Sequence, residues 1–148
     1  RNQAGSVKTI VQFQHRSVHT ADMGGNMAQT PEGKVKDACK KILKSMGKDR
    51  VSYYMPVQNG FGEQGIPDIV ASIDGEFWGI ETKAKGKPTT PFSVTRPQNR
   101  FDDSCVSPNQ SRKLKELDIA GAHAYVIDDV EQLKQAIRHW GYLEGDEV

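Results

Sequence analysis

Gly65-Ile66-Pro67-Asp68-Ile69-Val70-Ala71-Ser72-Ile73-Asp74-Gly75-Glu76-Phe77-Trp78-Gly79-Ile80-Glu81-Thr82-Lys83 is the stretch on which the fold turns. Two runs rich in apolar and β-branched residues flank Asp74-Gly75. Asp-Gly between such runs signals a hairpin, because a two-residue type I′ turn needs positive φ at both central positions. With Asp74 and Gly75 as the turn, Ile73 pairs with Glu76, and residue i faces residue 149 − i. Asp68 then lies directly opposite Glu81, on the same face of the hairpin.

That register has an electrostatic consequence. Opposed residues hold their Cβ atoms roughly 4.5–5.5 Å apart, and like charges there repel. At about 5 Å and an effective dielectric near 20, two carboxylates repel by roughly 3 kcal/mol. A divalent cation between them removes the conflict, and hard cations such as Mg²⁺ prefer carboxylate oxygens. Lys83 follows Glu81 by two residues, so strand alternation puts it on the same face. Two carboxylates and an ammonium at one strand end suit metal-assisted hydrolysis. The plain alternative is a surface hairpin carrying scattered charges. The neighbours oppose it: Ile69, Ala71, Ile73, Trp78 and Ile80 fill one face, and Val70 and Phe77 make the other apolar too. Strands apolar on both faces are central and covered, where an ionised group needs a partner or a task.

The 148 residues suit one domain with a single core. Hydrophobic content of 36% and charged content of 26% suit a soluble globular chain, and no apolar run is long enough to span a membrane. Net charge is only +1, so any nucleic-acid binding must come from local patches. Cys39 and Cys105 have no zinc-type spacing and read as free thiols of an intracellular protein. Residues 1–29 form an extension that is weakly ordered or serves as a dimer arm. Its one apolar run, Val7 to Phe13, would add an edge strand or cross to a partner subunit. It shows no apolar core of a secretory signal, and Met27 reads as a natural start. His15 and His19 lack acidic or cysteine companions for a metal.

Thr30-Pro31 opens a helix, Thr as N-cap and Pro at the first helical position. Val35, Ala38, Cys39, Ile42, Leu43 and Met46 follow at helical spacing, with Gly47 as C-cap. Glu32 lies in the first turn, where it complements the helix dipole. It projects from the core-facing side rather than from the basic face of Lys34, Lys36, Lys40 and Lys41. Val51 to Val57 reads as a strand ended by Asn59-Gly60. The Gly-rich approach Gly60–Gly65 lacks the Gly-Lys-Ser/Thr of a phosphate loop. Pro67 fits a strand only at its beginning, which agrees with a strand starting at Asp68. From Lys83 to Arg100 there are five basic residues (Lys83, Lys85, Lys87, Arg96 and Arg100) and no acidic one. The segment is a solvated linker, or a loop that grips phosphates, with Phe92 or Phe101 stacking on an unpaired base. Ser107-Pro108-Asn109-Gln110 is a capping box that opens a helix through Leu114, Leu117 and Ile119 to Gly121. Ala122 to Ile127 is a further strand. Asp128 or Asp129 caps a last helix carrying Val130, Leu133, Ala136, Ile137 and Trp140. His139 complements that helix's C-terminus, and for His123 the sequence names no partner.

Gly65-Ile66-Pro67-Asp68 followed by Glu81-Thr82-Lys83 resembles the PD-(D/E)XK nuclease signature. The G-x-P-D form, with an earlier helical Glu and a later Gln-bearing helix, is similar to its VRR-NUC branch, the virus-type replication-repair nucleases. The resemblance spans roughly Thr30 to Trp140. It implies an α/β fold with an αβββαβ restriction-endonuclease-like core, a mixed four-stranded sheet flanked by helices, with 30–148 as the nuclease domain. Local signals give the compatible order α-β-β-β-α-β-α. The resemblance further implies an endonuclease that hydrolyses DNA phosphodiester bonds with Mg²⁺ or Mn²⁺. Asp68, Glu81 and the Thr82 backbone carbonyl would hold the metal, and Glu32 would complete the site. Lys83 would position or activate the attacking water, and Gln110 would orient water or phosphate. On the loop's own composition, rather than on the resemblance, Lys85, Lys87, Arg96 and Arg100 would bind the nucleic acid. Branched or structured DNA as partner, a homodimer, a role in replication, repair or recombination, and the cytoplasm of a bacterium or phage-infected host follow by the same analogy. Thr82 departs from the pattern, which usually has an apolar residue there, and no separate DNA-reading domain is visible. The rival classes are a catalytically inactive nucleic-acid-binding module, which the presence of Asp68, Glu81 and Lys83 opposes, and a small scaffold or inhibitor protein.

Overall fold

In a computed structural model the chain is described over residues 29–87 and 105–141. All but Gln29 of the expected N-terminal arm, and Phe92, Arg96, Arg100 and Phe101, lie outside these residues. The elements run α1 (Pro31–Ser45), β1 (Val51–Tyr54), β2 (Ile69–Ile73), β3 (Glu76–Thr82), α2 (Pro108–Ile119), β4 (His123–Ile127) and α3 (Val130–His139), the order expected. One mixed sheet is formed in the spatial order β1-β2-β3-β4, antiparallel except for the parallel pair β3–β4.

The hairpin has the register its turn dictates. Asp74 and Gly75 take φ of 46° and 87°, and pairing runs from Ile73 with Glu76 to Ile69 with Ile80. Asp74 also ties the turn to the root of β1. Its carboxylate accepts from Arg50 Nη2 at 2.8 Å and Nε at 3.1 Å, and its N–H donates to the Arg50 carbonyl at 2.8 Å. A two-pronged guanidinium pair fixes direction as well as distance.

Local chemistry sets the helix starts. Thr30 Oγ1 accepts from the Gly33 N–H at 3.1 Å, with Pro31 beginning α1. Ser107 and Gln110 form the reciprocal capping box of α2, and Asp129 and Gln132 form that of α3. Val35, Cys39 and Leu43 of α1 and Leu133, Ala136 and Ile137 of α3 cover one sheet face, packed on Ile69, Ala71, Ile73, Trp78, Ile80, Tyr125 and Ile127. Leu114 of α2 packs on Ala124 and Val126 of the other face, with Leu117 beside it. Gly79 admits that helix, since a Cβ there would stand 2.9 Å from Leu117 Cδ1.

Three apolar assignments differ from expectation. β1 ends at Tyr54, not Val57, because Pro56 has no N–H to continue a ladder and Val57 is exposed. Ile119 is 87% exposed, so the buried stripe of α2 stops at Leu117. Phe77 is half-exposed: α2 reaches the second face as far as Gly79, and Phe77 lies two residues beyond that point. Among the described residues no helix is long and apolar enough to cross a membrane.

Gly65 joins the loop before β2 to the start of α2. It has φ of +81°, and an added Cβ would lie 2.2 Å from the Asn109 carbonyl oxygen. Gly65→Ala is expected to lose about 2–4 kcal/mol of stability, since backbone strain and a backbone clash combine. Gly60→Ala serves as the control. Gly60 has φ of +82° but no neighbour within 4 Å, so only the left-handed penalty of about 1–2 kcal/mol applies. Urea midpoints compare the two, and equal losses would show that the close approach contributes nothing.

Candidate active site

The turn's register brings the end of β3 beside the entry to β2. Asp68 directly precedes β2, after the buried Pro67, and Glu81 is the penultimate residue of β3. Glu32, in the first turn of α1, reaches the same point. One carboxylate oxygen from each of Glu32, Asp68 and Glu81 lies within 4.8 Å of the other two. The structure thus brings together the three acids named from sequence.

Each acid is held by specific neighbours. Asp68 Oδ2 accepts from the Thr82 backbone N–H and from the Thr82 hydroxyl, both at 2.9 Å. Thr82 is fully buried, so its hydroxyl needs an acceptor, and Asp68 provides it. Asp68 Oδ1 faces the Lys36 ammonium at 3.1 Å. Glu81 is 2% exposed. Its Oε1 accepts from Gln110 Nε2 at 2.7 Å and stands 3.3 Å from Lys83 Nζ. Gln110 Oε1 accepts from the Ser107 N–H at 2.9 Å and from Lys83 Nζ at 3.3 Å. The capping role read for Gln110 is filled, and the same amide also braces the Glu81–Lys83 pair.

Burial pushes the Glu81 carboxyl up to about 7, with the Asp68 charge adding to the rise and Lys83 opposing it. A buried acid raised this far, converging with two other carboxylates, is a candidate functional group. The donor set suits a hard divalent cation: three carboxylates converge on one point with no sulfur or imidazole among them.

Lys36 is the site residue that sequence reading missed, since its spacing places it on the solvated basic face of α1. A signal was available: Glu32 and Lys36 are four residues apart and so share one edge of the helix. In the basic loop, Lys85 pairs with Asp129 at 3.2 Å and the Gly86 N–H donates to Asp128 Oδ2 at 3.0 Å. Both bonds moor the loop to the start of α3. Lys85 is 79% exposed despite its pair, and Lys87 is exposed as well. His123 does have a partner. It pairs with Glu76 and lies between Trp78 and Trp140, with ring centroids 4.5 and 4.6 Å away. That cluster is at the opposite end of β3 from the acids.

No family model matches the chain, and no curated protein matches it in sequence. A solved structure described as "VRR_NUC domain" shares its fold, with a TM-score of 0.54 at 20% sequence identity, covering 75% of this chain and 98% of that one. The likeness met in the sequence motifs is thus met again in the fold.

The raised Glu81 carboxyl makes a signed prediction. Unfolded, the group loses its proton near 4.5; folded, it keeps it to about 7. Between those values the folded state binds the extra proton, so rising pH removes up to about 3 kcal/mol of stability in metal-free protein. Urea unfolding in EDTA at pH 5 and pH 8 should show this loss, and Glu81→Gln should abolish it. Added Mg²⁺ should restore stability at pH 8 but much less at pH 5, where the proton competes for the same oxygens. A wild type and a Glu81→Gln variant with the same pH dependence would refute it.

Proposed function

We propose that the chain is a metal-dependent nuclease of the VRR-NUC type, hydrolysing phosphodiester bonds in DNA, with branched or structured DNA as its substrate. The observation that carries this reading is the convergence of Glu32, Asp68 and Glu81 oxygens within 4.8 Å, beside a lysine ammonium 3.3 Å from Glu81. The likeness in fold to a structure described as "VRR_NUC domain" supports it.

Asp68, Glu81 and the Thr82 carbonyl, with Glu32, would hold Mg²⁺ or Mn²⁺. When bound, such an ion acidifies water and offsets charge on the phosphate. Thr82 keeps Asp68 turned into the site through its amide and hydroxyl. Gln110 holds both Glu81 and Lys83, so the acid and the ammonium keep one relative placement. Lys83 orients the attacking water, whose oxygen bonds to phosphorus as the sugar–oxygen bond to phosphorus breaks, and its charge stabilises the crowded phosphate. Lys85, Lys87, Arg96 and Arg100 would hold flanking phosphates. Residues 30–148 would form the nuclease domain, acting as a homodimer in the cytoplasm on replication, repair or recombination intermediates.

One observation favours a second reading. The Lys36 ammonium, 3.1 Å from Asp68, already answers part of the acidic charge, which suits a DNA-binding module that does not cut.

Incubation with branched and duplex DNA in Mg²⁺, Mn²⁺ or EDTA separates the readings. Cleavage should require the divalent ion and favour the branched substrate. Asp68→Asn and Lys83→Ala should each lower the cleavage rate at least about 10²-fold while still shifting DNA on a gel. Binding with no cleavage in any metal would select the second reading. Neither binding nor cleavage would reject both.

Lys85→Ala and Lys87→Ala test the basic loop. A lysine that neutralises one phosphate should, when replaced, flatten the slope of log K against log salt by about 0.9. An unchanged slope would remove that residue from the phosphate path.

A further inference from the structure

Beside the acids, on the far side of Gln110, a cleft of about 440 Å³ opens between the 56–66 loop and the start of α2. Its size falls within the range of ligand pockets. Its lining is unlike that of the acidic site. Gln58, Asn59, Gln64 and Asn109 supply side-chain amides, Gln110 forms the wall common to both sites, and among the described residues no lysine or arginine lines it. Amides carry a donor and an acceptor on one short planar group, which matches the edge of a nucleobase.

The cleft is shaped by its own hydrogen bonds. Gln58 Nε2 donates to the Ile66 carbonyl at 2.8 Å, and Asn109 Nδ2 donates to Gln64 Oε1 at 2.7 Å. Asn59 Oδ1 accepts from the Phe61 N–H at 3.1 Å, which turns the loop at its tip. Glu63, the one charged lining residue among the described residues, is paired with Lys113 of α2. Phe61 sits between the lining residues Gly60 and Gly62 and is 97% exposed. Val57, on the same loop, is 87% exposed. Phe61 does not itself line the cleft and contributes almost nothing to the core, so its ring, carried on the loop that borders the cleft, is available to stack on a base.

We infer that this cleft receives one unpaired nucleobase of the DNA strand at the active site, with Phe61 as its stacking platform and the amides facing its edge. The site then takes strands with an unpaired base next to the cleaved bond more readily than continuous duplex. This inference rests on the nuclease reading and names a substrate feature for it.

The test uses the full chain carrying Asp68→Asn, with Mg²⁺, titrated against 2-aminopurine DNA. The probe base is placed in a single-stranded overhang or within duplex. Binding should change the fluorescence of the overhang probe. Phe61→Ala should weaken overhang binding roughly tenfold, and several times more than it weakens duplex binding. Phe61→Trp should keep the preference, Asn109→Ala should reduce it, and Phe77→Ala, at the other end of β3, should bind as the parent does. Equal losses on both DNAs, or none, would overturn the base pocket while leaving metal-dependent cleavage by the unmodified chain intact. Binding of the free 2-aminopurine nucleotide but not of the strand would also overturn it. Failure of the unmodified chain to bind or cut any DNA would remove the nuclease reading and this inference together.

Discussion

Left-handed backbone at Asp74 and Gly75 is the constraint on which the rest depends. Two consecutive residues at positive φ close the hairpin in the least number of residues. That closure sets which residue faces which along both strands. A slip of one residue would exchange the faces of a strand, sending Ile69, Ala71 and Ile73 out of the core and parting Asp68 from Glu81. Packing and chemistry are thus specified by one turn at the opposite end of the hairpin from the site. Arg50 reinforces this by clamping the Asp74 carboxylate, which couples the turn to the third strand of the antiparallel set.

The site is then completed from outside the hairpin by the N-terminal ends of two helices. α1 brings Glu32 and Lys36; α2 brings Gln110. Gln110 can serve both the helix cap and the site because an amide has separate donor and acceptor ends. Its Oε1 serves the Ser107 amide and Lys83, and its Nε2 serves Glu81. The bare backbone of Gly65 lets the loop before Asp68 close on the carbonyl of Asn109, one residue before Gln110. Cap, close approach and acid pair are therefore one arrangement rather than three separate features.

What could be read from sequence was what depends on neighbours in the chain. Asp74-Gly75 gave the turn and register, Thr30-Pro31 and Ser107–Gln110 gave helix starts, and Asp129 proved to be the cap where Asp128 or Asp129 was expected. The convergence of Asp68 and Glu81 followed by arithmetic. What could not be read depends on angles between elements. Lys36 meets Asp68 only because α1 crosses the sheet at that corner, and His123 meets Glu76 only because β4 runs parallel to β3. The exposure of Phe77 and Ile119 reflects how far α2 extends over its face, a length that apolar spacing does not encode. Phe61 escapes such a reading because a glycine-rich loop carries no period from which to place a side chain.

Thr82 illustrates how a departure from a motif can be physical rather than neutral. An apolar residue at that position would sit in the interior without further requirement. A hydroxyl there must be hydrogen-bonded, since an unsatisfied one costs about 1–3 kcal/mol. Asp68 is the acceptor, and by accepting from both the hydroxyl and the amide of one residue it fixes one of its two oxygens completely. The other oxygen is left to face Lys36 and the remaining acids. The threonine therefore supplies orientation to a carboxylate that would otherwise rotate about its last bond. Its presence ties a polar interior position to the geometry of the acidic cluster, so neither can change alone.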